Sequence, residues 1–142
     1  MSWLHYHKLS EQLADQAEGA RFKREFAQAR HFSRLAAEQE ELAFAQLTDA
    51  QPRTLGITAV SAVALWYKAG EYAQARAVAN QCLSRNALPA FAVAQLNDLL
   101  AEIQRLESLE KDVEEWRARI PFSPQAREQL QQAVTAWKAS VV

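Results

Sequence analysis

The chain has 142 residues, of which 49% are hydrophobic and 23% are charged, and its formal net charge is −1. This length is typical of one domain that buries its own core, and the balanced charge argues against a protein whose main partner is nucleic acid. Cys82 is the only cysteine, which excludes an intramolecular disulfide. Because the chain shows neither a long apolar run nor a basic leader followed by an apolar segment, we expect no membrane span, no signal peptide and a cytoplasmic protein.

The first two predicted elements are helices that form a hairpin over about residues 3–48. Apolar side chains recur at spacings of three and four from about Trp3 to Gly19, and again from about Arg21 to Leu47. Such spacing is typical of amphipathic helices. Gly19 is the expected break between the two helices.

A second hairpin is predicted over about residues 54–85. Its first helix, from about Leu55 to Ala69, is apolar on nearly every side, which is typical of a buried helix at the centre of a fold. Gly70 is expected to make the turn, because glycine readily adopts the left-handed conformation that ends many helices. The second helix of this hairpin is expected from about Tyr72 to Ser84.

The remaining part, about residues 89–140, is predicted to be a long fifth helix followed by a capping helix. Pro89 opens the fifth helix, which keeps one apolar stripe to about Ile120. Ser123 and Pro124 are expected at the N-cap and first position of the sixth helix. No stretch shows strand alternation with turn residues, so the chain is predicted to be all-α.

One six-residue phrase occurs twice. Residues 25–30 read E-F-A-Q-A-R, and residues 71–76, which lie 46 positions later, read E-Y-A-Q-A-R. Self-similarity at a fixed offset is typical of stacked structural repeats. The phrase therefore predicts that a helical hairpin has been duplicated.

The second copy resembles the tetratricopeptide repeat (TPR) family. Trp66 stands at the aromatic position late in the first repeat helix, Gly70 and Tyr72 at the turn, Ala75 at the close-packing alanine and Cys82 at a later small position. The resemblance is closest over residues 64–83.

A weaker copy of the same pattern lies over residues 20–37, where Arg24 replaces the turn glycine. Residues 53–105 also resemble repeat units of small bacterial proteins, a likeness that implies no function. The TPR resemblance implies an all-α, right-handed superhelix of about six helices, built as a TPR-like stack of antiparallel hairpins with a long fifth helix.

The resemblance also implies a function, which is a non-catalytic adaptor or scaffold that holds a peptide or protein partner on its concave face. The lining would include Glu11, Ala14, Val60 and Ala64, and the residues expected to form a polar groove are Glu18, Arg21, Tyr67 and Lys68. Val60 and Ala64 argue against a clamp for a terminal carboxylate, because such a clamp needs cationic or amide side chains. The alternative interpretation is that the four groove residues are ordinary solvated helix positions.

A basic group and an acidic group lie next to each other in the second helix region. The basic residues are Arg21, Lys23, Arg24, Arg30 and Arg34, and the acidic residues are Glu38, Glu40 and Glu41. Arg34 and Glu38 are four positions apart and can pair along a helix. The cluster fits either an anion patch or a solvated, internally paired face, and the adjoining acidic residues favour the paired face.

No motif predicts catalysis or metal binding. His5 and His7 are two residues apart and point to different sides of a helix, whereas helical metal-binding pairs need a spacing of three or four. No pair of titratable residues lies in a motif that requires it for chemistry. We therefore predict a protein that is not an enzyme and carries no metal or cofactor.

The apolar stripe of the fifth helix has two possible roles. Its later members are Leu109, Val113, Trp116 and Ile120. If the sixth helix folds back, as the short link favours, the stripe belongs to the core. Otherwise the stripe is a surface for a homodimer or another partner, and the chain is a structural, self-associating subunit.

Overall fold

Six α-helices and no strand make up the part of the chain that the computed structural model describes, residues 2–140. The helices are α1 (Trp3–Phe22), α2 (Phe26–Ala45), α3 (Pro52–Lys68), α4 (Tyr72–Ser84), α5 (Ala90–Arg119) and α6 (Pro124–Ser140). The all-α class is confirmed. None of the helices within these residues has both the length and the apolar composition needed to cross a lipid bilayer.

Three predicted helix boundaries are wrong for identifiable reasons. α1 continues through Gly19 to Phe22, so that α2 begins at Phe26 and not at about Arg21. A glycine inside a helix only weakens it. α3 begins at Pro52, three residues before the expected start, because proline in the first turn gives up an N–H that would have no partner there anyway.

The turns of the two hairpins have the same backbone hydrogen bonds. The Glu25 amide donates to the Ala20 carbonyl at 2.9 Å, and the Glu71 amide donates to the Trp66 carbonyl at 3.0 Å. These bonds close the helix end by satisfying carbonyls that would otherwise be left free. The duplicated phrase therefore begins each second helix after the same turn.

The residue before each of these glutamates lies in the left-handed region. Gly70 has φ 74° and Arg24 has φ 59°. Glycine adopts this conformation without strain, whereas a side chain is crowded by the following carbonyl. The two hairpins thus make the same turn with and without glycine.

The helices approach one another through small side chains. The buried small residues of α1 and α2 are Ser10, Ala17, Ala20, Ala29, Ser33, Ala36, Ala37 and Ala43. α2 packs against α1 on one side and α3 on the other. α3 is largely buried, as predicted, with Leu55, Ala59 and Val63 at 0% exposure, although Ile57 is 47% exposed.

α1 and α3 lie side by side and run in the same direction. Near their starts, Trp3 Nε1 donates to Thr58 Oγ1 at 3.0 Å. Near their ends, Lys68 Nζ lies 3.6 Å from Glu18 Oε1. The second hairpin therefore repeats the direction of the first.

α5 continues this arrangement beside α3. A Cβ on Gly56 would lie 2.9 Å from the Ala92 Cβ, so glycine permits the close approach of the two helix starts. Further along, the Tyr67 hydroxyl donates to Glu102 Oε1 at 3.3 Å. The surface shared by α1, α3 and α5 is called the inner face.

α6 folds back toward the first hairpin. Arg21 Nη1 donates to the Ala139 carbonyl at 3.1 Å, and Lys138 Nζ lies 3.9 Å from Glu110 Oε2 of α5. The Ser123 hydroxyl accepts a hydrogen bond from the Ala126 amide at 3.1 Å, as an N-cap residue does. α6 thus reaches from α5 to α2 and the end of α1.

The duplicated turn provides a matched pair of stability tests. Gly70→Ala should lower the free energy of unfolding by about 1–2 kcal/mol. The alanine would have to keep the positive φ of residue 70, and its Cβ would lie 3.3 Å from Arg30 Cζ. Arg24→Gly should raise it by about 0.5–1 kcal/mol by removing that strain. Urea denaturation measures both values. Effects of the same sign would contradict the equivalence of the two turns.

Candidate functional site

A cleft between α1 and α3 opens on the inner face. Its volume is about 260 Å³, and four of the residues that line it were predicted from the sequence to line a groove: Glu11, Ala14, Ala64 and Lys68. The structure adds His7, Ser10, Glu40 and Ser61 to the lining. The name inner cleft is used for this cavity.

The four residues predicted to form a polar groove separate into two places. Lys68 forms an ion pair with Glu18 beside the inner cleft, and Tyr67 points to Glu102 of α5. Arg21 instead binds the end of α6 through the Ala139 carbonyl. Glu18, Tyr67 and Lys68 therefore lie on the inner face. Arg21 instead forms a hydrogen bond that connects α1 to α6.

Glu40 is a buried carboxylate beneath the inner cleft. Its side chain is 1% exposed, and His7 Nδ1 lies 3.0 Å from Oε1 and 3.2 Å from Oε2. The other imidazole nitrogen, Nε2, lies 3.3 Å from Glu11 Oε1. A chain of carboxylate, imidazole and carboxylate thus runs from the core to the surface of the cleft.

The prediction that Glu40 belongs to a solvated acidic face is wrong. Glu40 continues the stripe of small buried residues of α2, Ser33, Ala36, Ala37 and Ala43, at helical spacing. The helical spacing of Glu40 from these small residues is the sequence signal that predicts its burial. Glu41 is also engaged, because it accepts a hydrogen bond from Trp66 Nε1 at 2.8 Å.

Trp3 holds the imidazole of His7 in place. The two rings stack with centroids 4.8 Å apart and an interplanar angle of 11°. The indole of Trp3 is itself held by its hydrogen bond to the fully buried Thr58. His7 is therefore positioned from three sides, by Trp3, Glu40 and Glu11.

Both nitrogens of the His7 imidazole are occupied by carboxylates, Nδ1 by Glu40 and Nε2 by Glu11. Ser10 and Ser61 line the same cleft, but among residues 2–140 no serine hydroxyl forms a hydrogen bond with His7. Nucleophilic catalysis needs such a contact to activate the hydroxyl. That the chain is not an enzyme stays a prediction.

Tyr67 on the inner face and Tyr72 at the start of α4 both remain protonated at neutral pH. Burial, followed by the nearby Glu102 carboxylate, raises the pKa of Tyr67, and burial raises the pKa of Tyr72 to about 12. The hydrogen bond from Arg105 lowers the pKa of Glu102. Tyr67 is thus a donor and Glu102 an acceptor at physiological pH.

Cys82 is a packing residue. Its side chain is buried, and burial raises the pKa of the thiol to about 11, so the thiolate that would react or bind a metal is scarce at neutral pH. Within the part of the chain that the structure describes, no group of three or more His, Cys, Asp or Glu side chains is placed to hold a metal ion.

The later stripe of α5 is partly covered. Leu109, Val113 and Ile120 are half-buried, whereas Trp116 is 50% exposed and meets the Phe122 ring edge-on at 6.0 Å. The stripe is therefore neither a sealed core nor a fully open surface.

The basic residues of α2 have different partners from those expected. Arg34 Nη2 lies 3.0 Å from Glu71 Oε1, so the predicted pairing of Arg34 with Glu38 is wrong. Glu71 belongs to the second hairpin and reaches Arg34 through tertiary packing. The spacing of residues along α2 cannot predict such a contact.

Comparison with known proteins identifies no relative of this chain. No protein-family model, no curated protein and no solved structure matches it. The resemblance to tetratricopeptide repeats stays a prediction that rests on residues 64–83 and 20–37.

The pairing of His7 with Glu40 can be measured directly. His7→Ala should lower the free energy of unfolding by about 3 kcal/mol, because it leaves a buried carboxylate without its partner. His5→Ala, at an exposed position on the same helix, is the matched control and should change it by less than about 0.5 kcal/mol.

A double variant, His7→Ala with Glu40→Leu, should recover much of the loss in urea denaturation, since it removes the buried charge as well. Equal stability of the His7→Ala and His5→Ala variants would show that Glu40 does not depend on His7.

Proposed function

We propose that the chain is a non-catalytic scaffold of tetratricopeptide-repeat type that binds a peptide or protein partner on its inner face. The matching turns of the two hairpins and the common direction of α1, α3 and α5 support this proposal. In such an arrangement, successive first helices form one continuous surface.

The inner cleft is the single observation that carries the proposal. It is the size of one side chain and lies among groups that can donate and accept hydrogen bonds, such as Ser10, Ser61 and Lys68. Ala14 and Ala64 leave the space open because their side chains are small. A cleft of this kind fits one polar side chain of a longer segment that lies along the inner face.

The charged groups at the edge of the cleft are available to a partner. The side chains of Lys68 and Glu18 are 44% and 57% exposed, so their ion pair contributes little to stability and is easily exchanged. Tyr67 extends the polar surface toward α5. Val60 and Ala64 offer no cation for a terminal carboxylate, so the expected ligand is an internal segment of the partner.

The proposal predicts that partner capture depends on Tyr67 and Lys68. Immobilised protein with Tyr67→Ala and Lys68→Glu should lose a protein that the parent chain retains, because the change removes a donor and places a second carboxylate opposite Glu18. The control is Lys23→Glu, which makes the same change of charge at an exposed position in the turn between α1 and α2. This variant should still capture the partner protein.

Circular dichroism checks that all three chains are folded. Equal capture by the parent chain and the double variant would count against the inner face as the binding surface.

A second function is favoured by the exposure of Trp116. In this alternative, the chain is a structural subunit that forms a homodimer through Leu109, Val113, Trp116 and Ile120 on α5. A half-exposed tryptophan beside half-buried aliphatic residues is typical of an interface centre.

Sedimentation velocity tests this alternative. A dimer should dissociate at least about tenfold more readily with Trp116→Ala, because truncation of a buried interface tryptophan commonly costs about 2 kcal/mol or more. Gln104→Ala, at an exposed site of the same helix, is the control. A parent chain that sediments as a monomer would rule the alternative out.

A further inference from the structure

A larger cavity lies on the other side of the molecule, between α2 and α6. Its volume is about 560 Å³, which is within the range of small-molecule sites in proteins. Phe26 and Ala27 of α2 and Ala136 of α6 supply apolar walls, and Arg30, Arg34 and Thr135 supply polar groups. This combination of an apolar body with few polar groups is typical of sites that orient a small ligand.

The guanidinium of Arg30 lines this cavity and has no ion-pair partner among residues 2–140. Its Nε atom is buried and has no hydrogen-bond partner among residues 2–140. Its guanidinium lies against Gly70, where an added Cβ would be 3.3 Å from Arg30 Cζ. Buried donors without a partner are rare in folded proteins and call for an explanation.

The neighbouring charges leave the cavity positive. Arg34 is neutralised by Glu71, and Lys138 lies next to Glu110. No carboxylate among the described residues forms an ion pair with Arg30. The guanidinium of Arg30 is therefore free to meet an anion that enters between the two helices.

We propose that this cavity binds a small organic acid whose carboxylate meets Arg30 and whose apolar body lies between Phe26 and Ala136. Guanidinium and carboxylate match in shape and charge, and such hydrogen bonds are stronger than those between neutral groups. Binding here would join α6 to α2 and is separate from the inner cleft.

Isothermal titration calorimetry with octanoate tests the proposal. The parent chain should bind octanoate saturably, with a Kd of about 1 mM or tighter. Arg30→Gln should weaken binding at least about tenfold, because the charge-assisted hydrogen bond is lost. 1-Octanol, which has the same apolar body and no charge, should bind the parent chain at least about tenfold more weakly.

Two further variants make the test specific. Ala136→Leu should weaken binding at least about tenfold by narrowing the space for the apolar body, with little change in melting temperature because position 136 is exposed on α6. Arg119→Gln removes a positive charge outside the cavity and should leave the Kd unchanged. Absence of saturable octanoate binding, or equal affinity in the parent and Arg30→Gln chains, would overturn the proposal.

Discussion

The close approach of α2 to α1 and α3 is the constraint on which the other features depend. It requires small side chains along α2, and Ala29 and Ala36 are 1% and 0% exposed there. Ala75 holds the equivalent place in the second hairpin and is 0% exposed. A larger residue at such a contact would push the helices apart, because packed interiors have no spare volume. With α2 directly beneath α1 and α3, the cleft between them becomes shallow and its floor comes from a third helix.

That floor includes a carboxylate, which has consequences for the site above it. Burying Glu40 is unfavourable unless its carboxylate has a polar partner, and the His7 imidazole is that partner at 3.0 Å. Because His7 belongs to α1 and Glu40 to α2, the pair holds the two helices in one register. The polar chemistry of the inner cleft and the alignment of the first hairpin thus have the same origin.

Much of the fold could be predicted from the sequence, but less of the site. Gly70, Pro89 and Ser123 mark helix boundaries through local backbone chemistry, so the starts of α4, α5 and α6 follow closely from them. Arg24 makes the same turn as Gly70, yet an arginine gives no such signal. Tyr67 and Lys68 were assigned to a groove because of the resemblance to tetratricopeptide repeats, and both lie on the inner face. The pairing of Arg34 with Glu71, however, depends on how two hairpins meet, and only tertiary packing decides it.

The return of α6 changes how the whole stack should respond to stress. In an open array each repeat contacts only its neighbours, and terminal repeats can melt one at a time. Here Arg21 and Ala139, which lie 118 positions apart, share a hydrogen bond between the end of α1 and the end of α6. Loosening of α6 would break this hydrogen bond and expose part of the first hairpin, so α6 couples the end of the fold to its beginning.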